Sequence, residues 1–166
     1  MSFTSMHLYF DDVSVGQEWR SLGRTITETD IVGFAGLSGD FNPIHMDHAF
    51  AKTTPFGRPI AHGLLVMSVV SGLTLNAPPM RTMAFLQIRE WFFRLPVYIG
   101  DTITVLTRVA DKKERSRGRR GEIGWHRQVL NQEGKVVMEG GSLTLVEGRG
   151  RKILPSDQKD EKAPDA

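Results

Sequence analysis

From Met83 to Gly148 the chain alternates strand-forming segments with short turn signals, and one long apolar stretch, His62 to Asn76 (HGLLVMSVVSGLTLN), is on hand to cover the sheet they must build. The strand segments are MAFLQIREWFF, PVYIGDTITVLTRVADK, EIGWHRQVLN and KVVMEGGSLTLVEG, rich in β-branched and aromatic residues. NQEG reads as a hairpin turn between the last two, and RSRGRRG as a longer connection between the preceding pair. The pattern predicts an α+β fold with one antiparallel sheet. A sheet must cover its apolar face, and a helix starting near His62 that is apolar on nearly every side is its natural, buried partner.

The first half is helical. One strand is predicted in QEWRSLGRTI; Thr27 with Asp30 three residues on then marks a helix start, followed by Ile31, Phe34, Ala35 and Leu37 at helical spacing and a stop at Gly39. GDFNPIH is a loop at that exit, in which Pro43 fixes its own backbone angle and keeps Asn42 out of the helical region. Asp47 can cap the next short helix, HAFAKT. The 166 residues form one domain over 1–147, with a flexible charged tail over 148–166 that has few large apolar residues.

The chain has no cysteine, so disulfides, thiolate zinc sites and a cysteine nucleophile are excluded. It also lacks a signal peptide or spanning segment, and a soluble cytoplasmic protein is expected. A net charge of +2 gives no reason for a polyanion partner. The local basic run KKERSRGRR reads as a solvated hairpin or a phosphate contact. It has no interleaved aromatics on which bases could stack, so no nucleic-acid partner is expected.

Chemistry therefore falls to carboxylates, imidazoles and backbone. Asp40 and His45 can exchange protons near neutral pH, as addition of water across a polarised double bond requires. The same pair can equally be a polar turn, its Asp capping amides and its His at the surface. Gly63 opens the apolar helix; its N–H can receive an oxyanion, or its missing side chain can allow close packing. His45, Asp47, His48 and His62 are potential metal ligands, but adjacent Asp47 and His48 diverge and Asp47 has a capping task, so no metal is assigned.

Asp40, Asn42, Pro43, Ile44 and His45, continued by Asp47, Phe50 and Ala51, resemble the hydratase signature of the MaoC-like family of hot-dog-fold (R)-specific enoyl-CoA hydratases and related dehydratases. FGRPIAHGLL (Phe56 to Leu65), Ser71-Gly72 and RLPVYIGDTI (Arg94 to Ile103) extend the resemblance over Gln17 to Val146. It implies a curved antiparallel sheet wrapped around a long central helix, paired into a homodimer or larger homo-oligomer. Asp40 and His45 would hold water, Asp40 as base and His45 as acid with the labels exchangeable. The Gly63 N–H would bind the thioester carbonyl, Ser71 would sit by the acyl pocket, and Asn42, Pro43 and Asp47 would shape the loop. Trp91 is a candidate for shortening the acyl pocket and Arg58 for meeting CoA phosphates. The substrate would be an acyl-CoA or acyl-carrier-protein thioester, with no cofactor beyond the CoA it carries. Hot-dog proteins also include acyl-CoA thioesterases, and a pocket without productive geometry would make a non-catalytic acyl-CoA-binding module.

Overall fold

The computed structural model describes residues 7–150. Short strands β1 (Glu18–Arg20) and β2 (Arg24–Thr25) precede helices α1 (Glu28–Ser38), α2 (Pro43–Met46), α3 (His48–Ala51) and α4 (Gly63–Leu73). Four long strands follow: β3 (Thr82–Phe93), β4 (Thr102–Arg115), β5 (Arg120–Leu130) and β6 (Val136–Glu147). All pairings are antiparallel, in the order β1-β4-β5-β6-β3, with β2 also on β4. This is the α+β, sheet-around-helix architecture expected, and no helix among the described residues is long and apolar enough to cross a membrane.

Local chemistry sets the ends of the elements. At the start of α1 the Thr27 hydroxyl accepts from the Asp30 N–H at 3.2 Å while the Asp30 carboxylate accepts from the Thr27 N–H at 2.8 Å. Gly39 closes the helix at φ +76°, a left-handed angle suited to glycine. Thr27→Ala is expected to cost about 1 kcal/mol of stability, read as a lower urea midpoint with unchanged slope.

Three expectations are corrected. The strand in QEWRSLGRTI is two pieces, because the Ser21 hydroxyl takes the Val105 N–H at 2.9 Å and interrupts the ladder between β1 and β2. Helix α4 is central but buried on one side only: Leu65, Val66 and Val70 enter the core, whereas Leu64 is 61% exposed. Residues 148–150, expected to belong to the tail, are tied to the fold: the Gly148 and Gly150 N–H groups donate to Arg119 and Gly118 carbonyls and Arg149 pairs with Asp12 at 2.8 Å. The rest of that tail, 151–166, lies outside the described residues.

Sheet parity defines the inner face. On β4 Ile103, Val105, Thr107 and Val109 point inward, and on β5 Ile123, Trp125, Arg127 and Val129 do, all buried. One core lies beneath α4 and includes Ile26, Ile31, Val66, Ile103, Val129 and Met138. A second gathers Phe10, Val13, Val109, Ile123 and Trp125.

Candidate active site

The loop after α1 is held by its own polar side chains. The Asn42 amide oxygen accepts from the Ile44 N–H at 3.1 Å, which caps α2 with Pro43 at its first position. Asp47 accepts from the Ala49 and Phe50 N–H groups at 2.8 and 2.9 Å and so starts α3. Asn42 and Asp47 are thus helix caps, and Pro43 is the first residue of α2. The Asp40 carboxylate, exposed at the loop surface, accepts from the Asn42 N–H at 3.2 Å.

His45 is half-buried, and its Nδ1 lies 2.7 Å from the carbonyl of Ile60. A carbonyl only accepts, so Nδ1 carries the proton and the neutral ring keeps its lone pair on Nε2. Burial pushes the His45 imidazolium below the ordinary histidine range and nearby His62 adds to this; the Ile60 carbonyl and Asp40 pull the other way.

Sequence reasoning placed His62 only among potential metal ligands. It is 2% exposed, its Nε2–H donates to the Asp40 carbonyl at 2.9 Å, and its ring lies against that of His45 with centroids 3.8 Å apart. It therefore fixes both partners of the pair at once. A carboxylate oxygen of Asp40 and one ring nitrogen each of His45 and His62 lie within 4.8 Å of one another. A gap of that size suits one water bonded at about 2.8 Å to two of them. Asp47 and His48 stand apart, the first as a cap and the second beside Glu28 at 2.9 Å.

Gly63 is the first residue of α4, so its N–H has no carbonyl one turn earlier within the helix. The space a side chain would fill is taken by Phe93, whose ring would stand 2.6 Å from a Cβ. The close approach that glycine allows is thus met by packing, while the amide remains at the positive end of the helix.

Two cavities share Leu64 as a lining residue. The smaller, about 550 Å³, is walled by His45, Ile60, Gly63, Phe93 and Val97. The larger, about 670 Å³, runs between α4 and the inner face of the sheet, past Met67, Ser71, Phe85, Ile88 and Trp91. Ser71 on α4 and Trp91 on β3 therefore line the same cavity, and the Trp91 indole N–H donates to the Gly141 carbonyl at 2.8 Å. Arg58 lines neither cavity; its guanidinium lies 4.1 Å over the Tyr98 ring. In the basic hairpin, Arg115 pairs with Glu122 at 3.0 Å and Lys112 donates to the Phe10 and Val13 carbonyls, so two of its cations serve the fold.

The chain matches the MaoC like domain over residues 12–128. It is 38% identical over 145 residues to the (R)-specific enoyl-CoA hydratase of Rhodospirillum rubrum, spanning 86% of this chain and 94% of that protein. With the 3-hydroxybutyryl-CoA dehydratase of Methylorubrum extorquens the identity is 41% over 113 residues, 68% of this chain and 71% of the other. The solved (R)-hydratase of Aeromonas caviae, described as involved in PHA biosynthesis, superposes with a TM-score of 0.68 at 33% identity over 80% of this chain and 96% of its own. Agreement of this extent in both sequence and structure makes the chain a member of the MaoC-like domain family.

Proposed function

We propose that this chain adds water to trans-2-enoyl-CoA thioesters to give (R)-3-hydroxyacyl-CoA, and runs the reverse dehydration. The observation that carries this is the Asp40–His45 pair, with His45 locked by the Ile60 carbonyl into the form that bares Nε2, in a ring that walls the same cavity as the Gly63 amide. The names of the relatives support the same reaction class.

In the proposed mechanism the thioester carbonyl rests on the Gly63 N–H, which makes the β-carbon electrophilic. Water held by Asp40 and His45 bonds that carbon through its oxygen, and the π pair moves onto the thioester oxygen as an enolate. The proton leaving the water goes to His45 Nε2, while the water's other hydrogen stays on its oxygen and donates a hydrogen bond to Asp40, whose carboxylate stands beside the imidazolium formed. Collapse of the enolate takes that proton onto the α-carbon and restores neutral His45. The first transfer is thus assigned to His45 rather than to Asp40, because the Ile60 bond leaves the accepting nitrogen on the imidazole. No cofactor enters this sequence, and either CoA or a carrier protein can bear the acyl group.

The test is the conjugated-thioester absorbance of crotonyl-CoA mixed with the purified protein, with the product's configuration assigned. Loss of the band without free thiol and with an (R) product is expected; release of CoA instead would identify a thioesterase. Since His45 is shifted downward and must start neutral, the acid limb of kcat/KM is expected below pH 6.5. A requirement for protonated His45 would instead make activity fall as pH rises through that region.

We also propose a homodimer through β3. This strand is the sheet's edge, twelve residues long, and exposes Met83, Phe85, Leu86, Ile88, Phe92 and Phe93. A long apolar edge invites a second strand. Light scattering is expected to give twice the chain mass, and Met83→Lys with Leu86→Lys to give the monomer.

A further inference from the structure

Arg127 sits in the middle of the sheet's inner face, opposite Thr107 on β4 and Gly140 on β6. It is 9% exposed and walls the larger cavity. Its Nη1 donates to the Ser142 hydroxyl, while Nε and Nη2, which form one edge of the guanidinium, make no hydrogen bond among the described residues. No described carboxylate pairs with it. The acidic groups on neighbouring strands are engaged elsewhere: Asp111 with Arg89, Glu139 with Arg94 and Gln128, and Asp101 with Gln132 and the Tyr98 N–H. Thr107, fully buried directly across from Arg127, also has an unpartnered hydroxyl. Burial lowers the guanidinium to about 10, which still leaves it charged at neutral pH. A buried cation without a counter-charge is unfavourable unless something supplies one.

The cavity shows where that counter-charge would come from. Its helix side runs from Leu64 to Leu75, roughly 16 Å at about 1.5 Å per residue. Leu64, at one end of it, follows Gly63, where the thioester is proposed to rest, and an acyl chain leaving that point would run along α4 past Met67 and Ser71 toward the sheet. The walls it would meet are apolar at Phe85, Ile88 and Trp91 and carry hydroxyls at Ser68, Ser71, Thr74 and Thr82; the one charged group among the lining residues is Arg127, beside Ser142 and Thr144. A methyl-ended chain would strip water from the guanidinium and return nothing. A carboxylate can accept a charge-assisted N–H bond from Nη2, Nε being enclosed by protein atoms.

We infer that the larger cavity selects acyl thioesters whose far end carries a carboxylate, bound by Nη2 of the Arg127 guanidinium. This deepens the proposed hydratase function and rests on it for the placement of the thioester. Arg127 is then a specificity-determining residue at a distance from the proton chemistry.

The test compares carboxylate-ended and methyl-ended trans-2-enoyl-CoA series of matched length, with wild type, Arg127→Met and Arg127→Lys. Wild type is expected to favour the best carboxylate-ended substrate by about 10²-fold in kcat/KM. Arg127→Met is expected to erase that preference by lowering the carboxylate-ended rate alone, with Arg127→Lys between. Wild-type preference for the methyl-ended chain at every length would overturn the inference without any variant. Equal loss on both series in a folded Arg127→Met protein would overturn it too. Calorimetry with saturated glutaryl-, adipyl-, suberyl- and hexanoyl-CoA separates this subsite from the reaction. Tighter, Arg127-dependent binding of a diacid thioester with no turnover of any enoyl-CoA would sustain the subsite and reject the hydratase reading. Equal binding of diacid and monoacid would reject the subsite whatever the turnover.

Discussion

Replacing His45 by alanine is expected to lower kcat for enoyl-CoA hydration by about 10²–10⁴-fold, and Asp40→Asn by a similar factor. The Asp40 substitution is the cleaner of the two. The side chain is exposed and accepts one hydrogen bond, from the Asn42 N–H, which an amide oxygen can also accept, so the loop keeps its shape while the charge goes. His62 still donates to the backbone carbonyl of residue 40. If both residues act on one water, the double variant should be little slower than the slower single one, because such effects are not additive. Steady-state absorbance with a thermal melt of each variant decides the matter. Near-full activity in a folded Asp40→Asn protein would remove Asp40 from the chemistry.

Gly140→Ala is expected to cost about 1–3 kcal/mol of stability, the usual range for overpacking. A Cβ at 140 would stand 2.6 Å from Trp91 Cγ and 2.7 Å from the Glu90 carbonyl oxygen, and the latter is backbone that cannot rotate aside. The pairing of β3 with β6 is irregular between Arg89 and Phe92, and Glu90 there has φ +37°. This bulge turns the Trp91 ring onto Gly140 and aims its N–H at Gly141. Urea denaturation should show a lower midpoint, and binding of any acyl-CoA should weaken with it, since Trp91 walls the larger cavity. A variant as stable as wild type would mean that the bulge yields freely.

The features legible in the sequence are those with local causes. The Thr27–Asp30 box, the Gly39 stop, the Asp47 cap and the Asn131–Gly134 turn each depend on residues within a few positions, and each is present. The break at Ser21 was not legible, because its partner Val105 is far along the chain. Nor was the one-sided burial of α4: a helix apolar all round does not declare which side faces a cavity. The role of His62 depends on a carbonyl 22 residues earlier. Arg127 did leave a signal. Ile123, Trp125 and Val129 alternate on β5, and that parity places the arginine between them on the inner face.

The separation of two cavities that share only Leu64 bears on how such a chain can diversify. The side chains proposed to handle protons come from the segments around α1 and α2, whereas the floor of the larger cavity comes from residues of β3, β5 and β6. Drift at positions 85, 88, 127 or 144 would reshape the accepted tail while leaving the loop at Asp40 and the carbonyl of Ile60 where they are. Appetite for new substrates and competence at one reaction are thereby inherited separately, which makes the strands the natural target for a designer who wants to redirect the enzyme.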